Sequence, residues 1–249
     1  MLSKSQISLV TSLQHKKFRR EQGLFLVEGY KSIIEFAGSP YQIHTIYHTP
    51  DVGPKLLNLS RNINFQEISI NELQKISALK TPADALATVY MPQDTDLLQA
   101  DLKNKFTLVL DGVQDPGNMG TIIRTADWFG ISRLICSEDT VDVYNPKVVQ
   151  ATMGSLARMT VNYTDLSTVL TNSSLQVYGA LLNGQNIYHT DFGSEGLIVM
   201  GNEGNGIRPE IEKLITKAVT IPKLGGAESL NVAIATAIFC SEAAGKLSK

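Results

Sequence analysis

An apolar pentapeptide, Phe-Thr-Leu-Val-Leu at 106–110, runs into Asp-Gly-Val-Gln-Asp-Pro-Gly-Asn-Met-Gly at 111–120 and then into a segment of helical periodicity. Strand-length apolar composition predicts a buried strand, and the loop and helix that follow predict a strand–loop–helix unit. Asp115 is placed to cap the helix, with Pro116 at its first position. Met119, Ile122, Ile123 and Ala126 recur at helical spacing and should face the core. Arg124 falls just off that face, beside Thr121 and Trp128, and Gly130 supplies the stop. Backbone N–H groups and one arginine therefore converge near the helix start. No Gly-Lys-Ser/Thr follows the loop, which argues against an ordinary nucleotide-triphosphate loop.

The rest of the second half alternates in the same way. Strands are predicted at 133–136, 157–161, 176–182, 197–200 and 219–221, and helices at 146–153, 166–170 and 229–247. Continuous apolar strands with interposed helices predict a parallel sheet covered on both faces. In the last helix Val232, Ala233, Ala237, Phe239 and Cys240 nearly encircle the axis, so one side is expected on the sheet and the other on a partner. The first half predicts a smaller α/β unit, with strands at 24–27, 41–48, 64–68 and 85–90 and helices at 3–13, 30–37, 55–59 and 71–77. A polar stretch with few structure signals separates the two. The expected division is 1–92 for the first domain, 93–104 for the linker and 105–249 for the second domain.

No apolar run is long enough to span a bilayer, and the polar N-terminus has no signal-like hydrophobic region. Only Cys136 and Cys240 are present, without a CxxC pairing, which fits a reduced, cytoplasmic setting. The net charge of −2 does not advertise a nucleic-acid binder. Its distribution says more: residues 1–31 carry Lys4, Lys16, Lys17, Arg19, Arg20 and Lys31 against Glu21 and Glu28. Such a cluster can supply phosphate contacts, and it can equally be a solvated helix end.

Two further segments could carry chemistry. Gly201-Asn-Glu203-Gly204-Asn-Gly206-Ile207 follows the apolar strand ending at Met200. Its glycines permit a tight turn and close backbone approach to a ligand, or simply a turn. Glu203 at the mouth of a parallel sheet can bind or orient a substrate. Ile221-Pro222-Lys223-Leu224-Gly225-Gly226-Ala227-Glu228-Ser229-Leu230-Asn231-Val232 leads into the last helix, where Ser229 is a natural N-cap and Asn231 is a poor helix former in the first turn.

The three segments together closely resemble the motifs of the SpoU (TrmH-type) branch of the SPOUT RNA methyltransferases. The matching residues are Asn118-x-Gly120-x-x-x-Arg124-Thr125-Ala126, then Gly201-x-Glu203-x-x-Gly206, then Ile221-Pro222, Gly225 and Ser229-Leu230-Asn231-Val232. Order, spacing and strand-to-loop placement agree over roughly 106–243. A weaker likeness to the family's RNA-binding domain rests on Arg19 or Arg20, Phe25 and Glu28-Gly29. One position departs: Lys223 stands where the family commonly has Met.

The resemblance implies S-adenosylmethionine-dependent methylation of a ribose 2′-hydroxyl in structured RNA, ribosomal RNA being favoured over transfer RNA. It implies Arg124 as the catalytic arginine, with Glu203, Ser229 and Asn231 around the reacting ribose. Backbone near Leu181, Gly201, Ile221 and Leu230 would hold the cofactor. Lys16, Lys17, Arg19, Arg20 and Asn118 would meet RNA. A trefoil knot and a homodimer come with the family. The alternative is a catalytically silent RNA-binding or ribosome-assembly protein on the same fold.

Other candidates have plainer readings. His44 and His48 lie four apart in a strand-like run with no third ligand in view. Cys136 ends an apolar strand and is expected to be buried. Trp128 and Tyr144 could stack on bases or pack in a core or interface.

Overall fold

The computed structural model describes residues 1–56, 59, 63–93 and 97–245. The chain forms two compact units, one of residues 1–93 with 142–157, the other of 94–141 with 158–249. The division is therefore not collinear with the sequence.

In the first unit the strands are β1 (Leu24–Glu28), β2 (Ile43–His48), β3 (Asn64–Glu67) and β4 (Ala85–Tyr90), in the spatial order β1-β4-β2-β3. β4 runs antiparallel to β1 and β2, whereas β3 pairs in parallel with β2. Both faces of β1 are buried, because successive side chains point to opposite sides. Leu24 and Leu26 join Val10, Leu13, Leu73 and Ile76, which come from or adjoin the helices Lys4–Ser12 and Ile70–Ile76. Ser3 and Ser69 begin those helices with reciprocal capping boxes. On the other face Phe25 packs against Phe36, Tyr41 and Tyr144, with ring centroids 5.6, 5.8 and 4.7 Å away. Tyr144 belongs to the 142–157 segment, whose helix Pro146–Ala151 lies on β1. Gly154 of that segment takes φ +92°, and a Cβ there would meet the Glu35 side chain at 2.8 Å.

The second unit is a six-stranded, wholly parallel sheet. Its strands are β5 (Phe106–Leu110), β6 (Arg133–Cys136), β7 (Thr160–Tyr163), β8 (Val177–Asn186), β9 (Gly196–Met200) and β10 (Lys217–Thr220), in the order β10-β8-β9-β5-β6-β7. β5 and β9 are buried throughout, as their unbroken apolar runs require. One face holds Val109, Ile135, Val177, Leu197 and Val199 under Leu166, Leu170 and Ile211. The helices Pro116–Trp128 and Val232–Gly245 pack on each other, and the second also touches β9.

Several boundaries differ from expectation. The strand expected at 157–161 begins at Thr160, because Ser155–Arg158 forms a 3-10 turn first. β8 runs on to Asn186, and its pairing with β10 jumps from Gly179 to Gln185, so residues 180–184 stand outside that register. The basic run forms a helix of its own, Lys16–Gln22, closed by Gly23 at φ +62°. The expected helix at 55–59 is Gly53–Leu56, with residues 57 and 58 outside the described set. The last helix begins at Val232 rather than 229; its expected end, 246–247, also lies outside the described residues, as do 94–96 of the expected linker.

Candidate active site

All six strands of the second unit point the same way, so the loops after their C-terminal ends gather along one edge of the sheet. β8, β9 and β5 are neighbours, and the loops after β9 and β5 carry Glu203 and the 111–118 segment. Ligands of open parallel sheets bind at this edge.

The helix bearing Arg124 starts as its sequence dictates. Asp115 caps it, accepting from the Asn118 N–H at 2.8 Å, and Pro116 follows. Met119, Ile122, Ile123 and Ala126 are fully buried. Thr121, Arg124 and Trp128 lie on the outer stripe, and Trp128 is 84% exposed. Arg124 is exposed, six residues and about 9 Å of helix beyond Asn118.

Asn118 joins the three motifs. Its side-chain N–H donates to Glu203 Oε1 at 3.0 Å, and its side-chain oxygen accepts from Asn231 Nδ2 at 2.9 Å. Glu203 also accepts from the backbone N–H groups of Gln114 and Asp115, at 3.4 and 3.3 Å. These two N–H groups lie just ahead of a helix N-terminus, where a carboxylate is favoured. Asn231 Oδ1 accepts from Ala233 and Ile234 N–H at 2.9 and 3.3 Å, so the cap of the last helix is Asn231. The sequence pointed to Ser229 for that task; Ser229 lies two residues ahead, in the exposed 223–231 stretch.

The Gly201–Gly206 loop closes on itself. Asn202 and Gly206 exchange backbone hydrogen bonds of 2.9 and 3.0 Å, and Asn202 Oδ1 accepts from Gly204 and Asn205 N–H. A Cβ on Gly201 would run into the Gly206 backbone, so that position requires glycine. Asn202 Nδ2 donates to the Gly112 carbonyl at 2.6 Å, which ties the loop to the segment after β5. Asp111, only 1% exposed, accepts from Arg208 through its backbone N–H at 2.8 Å and Nε at 2.7 Å, and forms an ion pair with its Nη2. That hydrogen bonding raises the Arg208 pKa further. Asp111, Asn202 and Arg208 escaped the sequence reading. A charged residue directly after an all-apolar strand, at the ligand end of the sheet, was the available signal for Asp111.

The expected cofactor positions sit in β8 (Leu181), on the loop after β9 (Gly201) and between β10 and the last helix (Ile221, Leu230). Leu181 is half-buried against the core, Gly201 and Ile221 are half-buried, and Leu230 is 49% exposed. Leu182 and Leu224 nearby in sequence are 78% and 97% exposed. Exposed apolar side chains beside glycine-rich backbone suit a ligand with an aromatic base and a polar tail. Lys223 is exposed in the same stretch.

Arg19 does not fit its expected role. It is 2% exposed, and its guanidinium donates to the Leu13 and Gln14 carbonyls at 2.9 and 3.0 Å and to Asp142 at 2.5 Å. Donors of a buried guanidinium committed to two carbonyls and an ion pair are not offered to a phosphate. Lys16, Lys17 and Arg20 are exposed. Glu28 is likewise an internal anchor, accepting from Ser77 Oγ at 2.6 Å and Ala78 N–H at 2.8 Å. His44 Nδ1 lies 3.0 Å from the Thr45 and Thr88 hydroxyls, and His48 Nδ1 3.0 Å from the Thr49 carbonyl. Both cysteines are buried, and burial pushes the Cys240 thiol up to about 12 and Cys136 higher still.

The SpoU rRNA methylase family model matches residues 105–241, and the model of an MRM3-like substrate-binding domain matches 4–87. The chain belongs to the SpoU family. A Bacillus subtilis relative, 23S rRNA (guanosine(2553)-2′-O)-methyltransferase RlmP, is 31% identical over 91% of each chain. A TrmH-family structure from Porphyromonas gingivalis covers 98% of both chains at 38% identity and a TM-score of 0.89. The SpoU methyltransferase AviRb from Streptomyces viridochromogenes, solved with AdoMet, covers 99% of both at 25% identity and a TM-score of 0.87. The family's three motifs are the segments that Asn118 links.

Proposed function

We propose that this protein methylates a ribose 2′-hydroxyl of ribosomal RNA, using S-adenosylmethionine. The observation that carries the reading is the Glu203–Asn118–Asn231 hydrogen-bond chain, which brings the family's three motifs to one edge of a parallel sheet. The names of relatives such as RlmP favour ribosomal RNA. S-adenosylmethionine would be held by backbone and apolar side chains near Leu181, Gly201, Ile221 and Leu230. It supplies an activated methyl with a good leaving group. The chain's task is alignment. Arg124, through its planar fork of N–H donors, would hold the 2′-oxygen and stabilise negative charge developing on it. Glu203 and Asn231 fix the geometry around it, and Ser229 lies in the exposed loop where the ribose would sit.

Lys16, Lys17 and Arg20 supply phosphate contacts from the first unit, whose 1–92 part acts as the RNA-binding domain; the methyl-transfer domain is drawn from 105–249, less the 142–157 segment that belongs to the first unit. Among the described residues no helix is long and apolar enough to cross a membrane; a cytoplasmic site of action belongs to the same proposal. So does a homodimer, supported by Trp128 and Ile234, 84% and 53% exposed on two helices that pack together. The knot is supported by the chain path from edge strand β10 into the last helix, which returns to pack on β9 and on the helix bearing Arg124.

The test uses purified protein, labelled S-adenosylmethionine and total RNA from a strain lacking the gene, with Arg124→Ala alongside. Label recovered as a 2′-O-methyl nucleotide with wild type alone is the expected result. RNA binding without labelling or cofactor binding would replace the proposal with a silent RNA-binding role.

A further inference from the structure

We infer that Asp111 and Arg208 are the positioning pair of the Gly201–Gly206 loop, setting where its tip residue Glu203 lies. The functional half of this inference rests on the methyl-transfer reading; the structural half does not.

β5 and β9 end side by side, with Asp111 N–H donating to the Met200 carbonyl at 2.9 Å. The chain leaves β9 at Gly201 and returns at Arg208 to the residue that follows β5. Asp111 receives three donors from that one residue: its backbone N–H, Nε and Nη2. The intervening loop is thus closed at its base by a buried carboxylate, stiffened within by the Asn202–Gly206 bridge and seated at its tip by Glu203. Without the base contact, the Asn202–Gly206 bridge and the Asn202–Gly112 hydrogen bond remain, but the Arg208 side of the loop is freed. Glu203 then loses its fixed place against Asn118, and Gly201 its place among the cofactor loops.

The Arg208 guanidinium has further acidic neighbours. Its outer edge faces carboxylates, with Asp139 Oδ1 3.6 Å from Nη2 and Glu210 Oε1 3.9 Å from Nε. The Asp139 carboxyl is held below its ordinary range, first by the Ser137 hydroxyl and then by Arg208. Ser137 Oγ in turn accepts from Gly112 N–H at 2.9 Å, so the strand end that bears Asp111 is held from behind as well. Arg208 is 42% exposed and shares its charge among three carboxylates, of which Asp111 is held most closely. Its geometry serves Asp111.

The experiment compares wild type with Arg208→Ala, Arg208→Lys and the double variant Asp111→Asn/Arg208→Ala. Three quantities are read: melting temperature, amide hydrogen exchange of peptides covering 112–118 and 201–207, and S-adenosylmethionine affinity by calorimetry. Arg208→Ala strands a buried carboxylate, so it melts early. The double variant removes that stranded charge and should recover most of the melting temperature. Its loop amides should still exchange at least tenfold faster than wild type, and its cofactor affinity should stay at least tenfold weaker. Arg208→Lys, which keeps the charge without the fork, should fall between. If the double variant also restores slow exchange and affinity, the pair is structural only and the inference falls. Unchanged loop exchange in Arg208→Ala would overturn it too. A wild type that binds no S-adenosylmethionine would sink the methyl-transfer reading, while the exchange data would still decide the pair's role.

Discussion

Asn231 donates its side-chain N–H to the side-chain oxygen of Asn118 at 2.9 Å, across 113 residues of chain. The same Asn231 oxygen caps the last helix. One residue therefore does two separable things, and substitution can part them. Asn231→Asp keeps a good cap but loses the donor, so stability should hold within about 0.5 kcal/mol while single-turnover methylation falls tenfold or more. Asn231→Ala loses both, with about 1 kcal/mol less stability by urea denaturation. Equal activity in Asn231→Asp and wild type would remove the Asn118 link from the mechanism.

Arg124 sits on the exposed stripe of its helix. Arg124→Ala should change stability by no more than about 0.5 kcal/mol, as exposed substitutions do. Methylation should drop at least a hundredfold. Lysine should not rescue it, because a compact ammonium lacks the planar fork. A variant retaining more than a tenth of wild-type kcat would move the catalytic role elsewhere.

The four basic residues of 16–20 should separate into two classes. Arg19→Ala empties a buried guanidinium site and leaves the partly buried Asp142 carboxylate without its ion pair, and should cost about 2 kcal/mol or more in stability. Reversing Lys16, Lys17 and Arg20 to Glu should leave folding intact, weaken RNA binding and flatten its dependence on salt. A stable Arg19→Ala, or a triple reversal with unchanged salt slope, would contradict this sorting.

Gly201→Ala should disable the loop outright, since its methyl would collide with Gly206 backbone that is itself bonded to Asn202. Cofactor affinity measured by calorimetry should fall more than tenfold. Gly245→Ala, outside the motifs and where a Cβ would meet nothing within 4 Å, serves as the control and should bind within a few-fold of wild type.

Glu28 gives a pH signature. Burial raises its pKa, outweighing the Ser77 and Ala78 hydrogen bonds that lower it. The folded state thus holds this proton more tightly than the unfolded state, so the contribution is fully present below the unfolded pKa and is lost as pH rises through the folded one. Glu28→Gln should remove that loss. Its stability relative to wild type should improve between pH 4 and pH 7, measured by urea denaturation at each pH. A difference that does not vary with pH would refute the assignment.

Much of the second unit was legible because its strands are buried on both faces and its key helix carries its own start and stop. Phe106–Leu110, Asp115, Pro116 and the buried stripe through Ala126 all lie where local chemistry puts them. The motifs were legible as motifs, through resemblance. Their junction was not, since Asn118, Glu203 and Asn231 meet only through tertiary structure. Arg19 was misread for a related reason. Within the run Lys-Lys-Phe-Arg-Arg nothing local separates a cation that will be buried from its solvated neighbours, because the partner, Asp142, lies 123 residues on. Asn231 displaced Ser229 as the cap because the helix begins later than the apolar pattern implies.

The assignment of 142–157 to the first unit has a consequence for synthesis. A ribosome delivers residues 1–93 well before the segment that supplies Tyr144 against Phe25 and Asp142 against Arg19. Until then part of one face of β1 and the Arg19 guanidinium lack their later partners, and the N-terminal unit cannot finish folding on its own schedule. Completion of the first unit is thereby deferred until more than half the chain has emerged.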